Sequence, residues 1–130
     1  MNLSASQSFA LLALLTAIGC GNSDGRTVLT GNVTYKGEPL VYGLIYFNPD
    51  TKKGQSGPQG VGEIRNGSYR TNPEYGPVPG PHIVRITGWS QSPEQGMLPP
   101  ALFTDHEISI DIPNASSGSL NFDVPLKTKK

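Results

Sequence analysis

The chain has little cysteine and little charge. Cys20 is the only cysteine in 130 residues, so no intrachain disulfide can staple the fold. Acidic and basic side chains number ten each, and charged residues make up 15% of the chain, against a usual ~25%. With a formal net charge of zero, the chain lacks the cationic surplus that phosphate binding needs, which excludes nucleic acid as a partner. The longest apolar stretch, Phe9 to Ile18 (FALLALLTAI), has ten residues including one Thr, while a membrane-spanning helix takes ~20. Beyond that stretch no apolar period of 3.6 residues is present, which excludes helical bundles and coiled coils. There is no Cys pair, no H-x-x-x-H and no EF-hand loop for a metal, and no G-x-S-x-G elbow for a nucleophilic serine.

Glycine and proline, by contrast, are abundant: 16 and 12 residues, 28 of 130 together, where ~12% is ordinary. With frequent Val, Ile and Tyr, this composition points to short strands joined by many turns. A length of 130 residues sets one domain as the limit.

The N-terminal segment reads as an address rather than as part of the fold. Residues 1–20 carry no charged side chain, and the apolar run of ten suits the h-region of a signal peptide. It ends in Ala17-Ile18-Gly19-Cys20, which resembles the lipobox of bacterial lipoproteins. That resemblance implies a diacylglyceryl thioether on Cys20 and cleavage between Gly19 and Cys20, where only a small residue fits before the cut. Acylation would also remove the liability of a lone thiol outside the cytoplasm. Ala17 stands where Leu is commonest, and residues 1–10 have no Lys or Arg. The expected organisation is a lipoprotein signal peptide over 1–19, a lipidated Cys and tether over 20–27, a β-sandwich over 28–126, and a basic tail over 127–130. Gly21 to Thr27 (GNSDGRT) is polar and reaches about 25 Å when extended. The expected location is the cell envelope, anchored to an inner or outer bacterial membrane and facing away from the cytoplasm.

Seven strands are expected in the body of the chain. Val28 to Tyr35 alternates, with Leu29, Val33 and Tyr35 on one face. Tyr42 to Asn48 (YGLIYFN) is apolar on both faces, as a central strand would be. Val61 to Ile64 and Ser68 to Thr71 flank Arg65-Asn66-Gly67, and Asn-Gly is a hairpin signal. Ile83 to Trp89 lies between two Pro-rich loops, Asn72 to Pro81 and Gln91 to Pro100. Glu107 to Ile112 places Ile108, Ile110 and Ile112 inward, and Leu120 to Leu126 does the same with Leu120, Phe122 and Val124. Turns at 8–12-residue spacing then read as an all-β, immunoglobulin/transthyretin-like sandwich.

Several of these segments resemble carboxypeptidase regulatory-like (transthyretin-like) domains. Gly31-Asn32-Val33 through Gly37-Glu38-Pro39-Leu40 resembles their opening G-x-V-x-x-x-G-x-P-L. Gly67-Ser68-Tyr69 resembles their G-x-Y, and Pro79-Gly80-Pro81-His82-Ile83-Val84-Arg85-Ile86 their P-G-x-Y-x-V-x-V. Leu98-Pro99-Pro100-Ala101-Leu102-Phe103 and Ser119-Leu120-Asn121-Phe122-Asp123-Val124 resemble the ends of small lipoproteins encoded by planctomycete bacteria. His82 stands where that family has an aromatic residue, and Leu102-Phe103 where Lys-Tyr is commoner. The resemblance spans residues 28–126 and implies a folding module that is not itself catalytic.

Candidate sites are few. His82, Asp105, His106 and Glu107 are the residues that would ligate a metal, but neighbours along a strand point to opposite faces, and His82 falls at a core position. No metal, no cofactor and no catalytic residue is expected. Gly57-Pro58-Gln59-Gly60-Val61-Gly62 leads into a strand, whereas a phosphate loop needs a helix N-terminus. Tyr42, Tyr75, Trp89 and Phe103 fall at strand ends or in loops. On one rim they would stack on sugar rings of a cell-wall polysaccharide; otherwise they cap the open ends of the sandwich. Lys127, Lys129 and Lys130 are a solvated tail, or an attraction to an anionic surface. The reading favoured by the sequence is a membrane-anchored envelope lipoprotein whose sandwich is a structural or protein-interaction module, with glycan binding as the alternative. Oligomeric state is not legible.

Overall fold

The computed structural model describes residues 25–126, so Gly19, Cys20, most of the tether and the lysine tail lie outside the described residues. Nine strands form: β1 (Val28–Tyr35), β2 (Glu38–Pro39), β3 (Tyr42–Pro49), β4 (Gly60–Arg65), β5 (Ser68–Thr71), β6 (Gly80–Trp89), β7 (Phe103–Ile112), β8 (Ser117–Ser119) and β9 (Phe122–Val124). Among the described residues the only helical pieces are two single 3-10 turns, Thr51–Lys53 and Pro93–Gln95. The fold is all-β, as expected.

The strand count is nine instead of seven, for local reasons. Lys36 and Gly37 take positive φ, and the turn they make folds Glu38 and Pro39 back onto Tyr35 and Thr34 as β2. Ser117-Gly118-Ser119 pairs in parallel with Val28-Leu29-Thr30 as β8. The expected strand over Leu120 to Leu126 contracts to Phe122–Val124. Leu120 and Asn121 leave the ladder to bind β1 another way: Leu120 N–H donates to Thr30 O, and Asn32 N–H donates to Asn121 Oδ1. This crossing is tight enough that a Cβ on Gly31 would lie 1.9 Å from Leu120 O. The hairpin between β4 and β5 forms as Asn-Gly dictates, with Asn66 and Gly67 both at positive φ.

Hydrogen bonding runs in the order β2-β1-β5-β4-β3-β6-β7, and β8 and β9 join β1 along its other edge. The path curls so that β1 and β9 face β3, β4 and β6 across one core. Leu29, Val33, Ile45, Phe47, Ile64, Val84, Ile86 and Val124 are at most 1% exposed there. Tyr69 lies between the layers, its ring 6.1 Å from Phe47 and 6.2 Å from Phe122. Its hydroxyl donates to Leu120 O at 2.7 Å, and burial pushes the phenol pKa up. β3 is central, paired on both edges with β4 and β6. Along β7 the expected alternation holds: Ile112 is buried, Ile108 and Ile110 are half-buried, and Glu107, Ser109 and Asp111 are exposed.

The registers give the domain two poles. β1 begins at the proximal pole, where Thr27 N–H donates to Pro77 O and Val28 N–H to Ser116 O. It ends at the distal pole, where Tyr35 pairs with Val124 of β9. Pairing of Tyr42 with both Arg65 and Trp89, and of Gly88 with Phe103, puts those residues at the distal pole. The two Pro-rich loops emerge at opposite poles, as their places before and after β6 require. The first is held in place, because Gly76 and Pro77 are buried and Tyr75 O accepts from Val61 N–H.

Candidate functional site: the distal pole and the seam beside it

The four aromatic residues singled out by sequence do not share one surface. Tyr42 and Trp89 meet at the distal pole with ring centroids 5.8 Å apart and tilted by 44°. Tyr42 is only 6% exposed. Its hydroxyl donates to Glu63 Oε2 at 3.1 Å, and the Arg65 guanidinium lies over its ring at 5.5 Å. Burial, and then the bond to Glu63, push its pKa up. Tyr75 is 58% exposed but stands at the proximal pole, beside Leu44, Val61 and Arg70. Phe103 opens β7 on the core side of Gly88, its ring centroid 4.9 Å from that of Tyr35 at a tilt of 35° and edge-on to His106 at 6.5 Å. A sugar chain would therefore meet no common platform of these four rings. Strand direction separates them, since Tyr75 precedes β6 and Trp89 ends it.

Arg65 ties the outer face together. Its Nε is hydrogen-bonded to Glu63 Oε1, and its Nη2 lies 2.7 Å from Glu94 Oε1 in the second Pro-rich loop. Those bonds hold the Glu94 carboxyl down to about 2 and raise the guanidinium pKa further. The exposed loop that follows carries Met97, which is 92% exposed. Val41, Leu102 and Leu126 are also exposed, and their places next to Tyr42, Phe103 and β9 put them at this pole too.

One concave site is built here. Tyr35, Leu102, Phe103, Thr104, His106, Val124, Pro125 and Leu126 enclose about 340 Å³. The cavity lies between the start of β7 and the end of β9. The Tyr35–Phe103 ring pair and the His106 imidazole line it. Of its lining residues, Phe103 is a ligand-contact candidate of the sequence and His106 one of the four side chains weighed there as metal ligands. Tyr35 and Val124 were legible as core, but the gap between them and β7 depends on how far the sheet curls, which no local pattern encodes.

His82 is fully buried, as its core position implies. Nδ1–H donates to Gly80 O at 2.9 Å, and Nε2 has no hydrogen-bond partner among the described residues. Among the described residues no three His, Cys, Asp or Glu side chains gather as a metal site. None of the described helices is long and apolar enough to cross a membrane.

No protein-family model matches the chain, and no curated protein matches it.

Proposed function

We propose that the protein is a lipid-anchored envelope lipoprotein whose β-sandwich is a non-catalytic module for binding another envelope component. The anchoring half of this reading rests on Ala17-Ile18-Gly19-Cys20 after a ten-residue apolar run. The observation that carries the interaction half is the polarity of the domain. The chain enters at the proximal pole through Thr27, seven residues after Cys20, while the cavity and four of the five exposed large hydrophobics stand at the distal pole. An anchor at Cys20 would leave that pole available to a partner.

Cys20→Ala tests the anchor. The wild-type protein is expected in the detergent phase of a phase-partition assay, because stable anchoring takes more than one acyl chain. The variant is expected to lose lipid, to keep its leader uncleaved and to take up no labelled palmitate. Equal palmitate labelling of both proteins would refute the assignment. The glycan alternative is tested by Trp89 fluorescence during titration with envelope polysaccharides, where a saturable shift would move the reading to a carbohydrate-binding module.

A further inference from the structure

β7 is an unfinished edge. Eight of its ten residues pair with β6, Thr104 and Asp105 forming a bulge where Asp105 takes positive φ, and among the described residues β7 pairs with no other strand and no backbone group bonds to its outer edge. After Ile112 the chain turns through Pro113 to Ser116 and returns as β8 and β9, which pair with β1 and not with β7. The two arms leave a seam between them that opens at the distal pole into the 340 Å³ cavity. Ile108 and Ile110 remain half-buried along it, as do Tyr35 and Phe103.

Acids outnumber bases along this seam: Arg85 of β6 pairs with Glu107 at 3.0 Å, and Asp105 and Asp111 have no cation opposite them in the β6–β7 register. From Ile86 to Leu126 the sequence contains no Lys or Arg and five acids: Glu94, Asp105, Glu107, Asp111 and Asp123. Three of them, Asp105, Glu107 and Asp111, belong to β7 and are exposed. Self-pairing is disfavoured by the same residues. An antiparallel β7–β7 pair centred on Ser109, within the regular part of the strand, would set Glu107 against Asp111, and like charges directly opposite destabilise a ladder. Acids on an edge strand guard against pairing with a copy of the same edge, but they attract a strand of opposite charge.

From these features we infer that the β7 edge accepts an extended basic segment of a partner polypeptide by strand addition, with one apolar side chain of that segment seated in the cavity between β7 and β9. Main-chain bonds to an open edge supply affinity in this mode, and alternate side chains supply specificity. A segment alternating Lys and Val matches the period of two. Its lysines would lie on the face of Glu107 and Asp111, and its valines would cover Ile108 and Ile110. Antiparallel addition puts the C-terminal end of the segment beside Phe103, so the side chain in the cavity belongs there. This inference rests on the interaction-module reading and names its partner class.

The test uses the chain from Gly21 onward, which keeps every core residue from Leu29 to Val124, and three synthetic peptides. They are an alternating Lys-Val octapeptide ending in Phe, its Glu-Val counterpart, and the Lys-Val peptide with every second amide N-methylated. The first should bind, with amide shift changes along β7 and at Phe103 and His106, and should weaken as salt rises. The Glu-Val peptide should not bind, and N-methylation should weaken binding about tenfold or more, the effect of losing one or two hydrogen bonds. Asp105→Asn with Glu107→Gln and Asp111→Asn should lose affinity and flatten the salt dependence without unfolding, because all three side chains are exposed. Binding indifferent to peptide charge or to N-methylation would overturn the inference. So would shifts confined to the outer face of β3 and β4, or dimerisation of the chain through β7 in sedimentation, which would make a second copy the occupant. Failure here with palmitate labelling of Cys20 intact would remove the partner and leave the anchor.

Discussion

Arg65 has three partners: Glu63, Glu94 and the face of Tyr42. In water such pairs contribute little to stability, because long side chains lose entropy and solvent screens the charges. Their effect is positional, fixing the second Pro-rich loop against β4. Glu94 reports on that contact. Its carboxyl falls from 4.5 to about 2 in the folded protein, so the small stabilisation from the pair is present above about pH 4.5 and is lost as pH falls through about 2. Arg65→Gln should return the Glu94 titration, followed by side-chain carboxyl NMR, toward the ordinary glutamate range. The melting temperature at pH 7 should stay nearly unchanged. A Glu94 titration that does not move would show that Arg65 is not its partner in solution.

Among the elements, β9 has three residues and places two of them, Phe122 and Val124, in the core. Phe122→Ala should cost about 3–5 kcal/mol of the ~5–15 kcal/mol typical of a domain, measured by urea denaturation. A loss under 1 kcal/mol would place Phe122 outside the core. The alternation of Phe122, Asp123 and Val124 was readable in the sequence, as were Ile108-Ser109-Ile110 in β7 and Asn66-Gly67 in the hairpin, because each is a local pattern imposed by the pleat or by positive φ. β8 was not readable. Ser117-Gly118-Ser119 has no apolar alternation, and its pairing with β1 is a backbone matter between segments nearly ninety residues apart. The crossing at Leu120 and Asn121 was hidden for the same reason: what it needs is the missing Cβ of Gly31, and a glycine between Thr and Asn shows no partner. The candidate aromatics fall at strand ends or in loops, as the sequence indicates: Tyr42 and Phe103 open β3 and β7, Trp89 closes β6, and Tyr75 lies in the first Pro-rich loop. Which pole each occupies depends on strand direction and register, which only the assembled sheet supplies.

For the molecule as a whole, the cavity and the open edge of β7 follow from one fact: the curled sheet ends in two arms that do not bond to each other. Another follows from the first and last strands. β1 enters at the proximal pole, β9 leaves at the distal pole, and the two run parallel with Val33, Thr34 and Tyr35 beside Phe122, Asp123 and Val124. Tension applied between Thr27 and Leu126 therefore slides β1 along β8 and β9 instead of peeling them apart. The hydrogen bonds of both ladders carry the load together, and Tyr69 and Gly31 lock the crossing between them. Single-molecule pulling between these two positions should give a high, brittle rupture force, whereas pulling between Thr27 and Arg70, which unzips β5 from β1 one bond at a time, should give a low one. Equal forces in the two geometries would refute this mechanical clamp. The domain would thereby be strongest when loaded between the start of β1 and the end of β9, along the axis that joins its two poles.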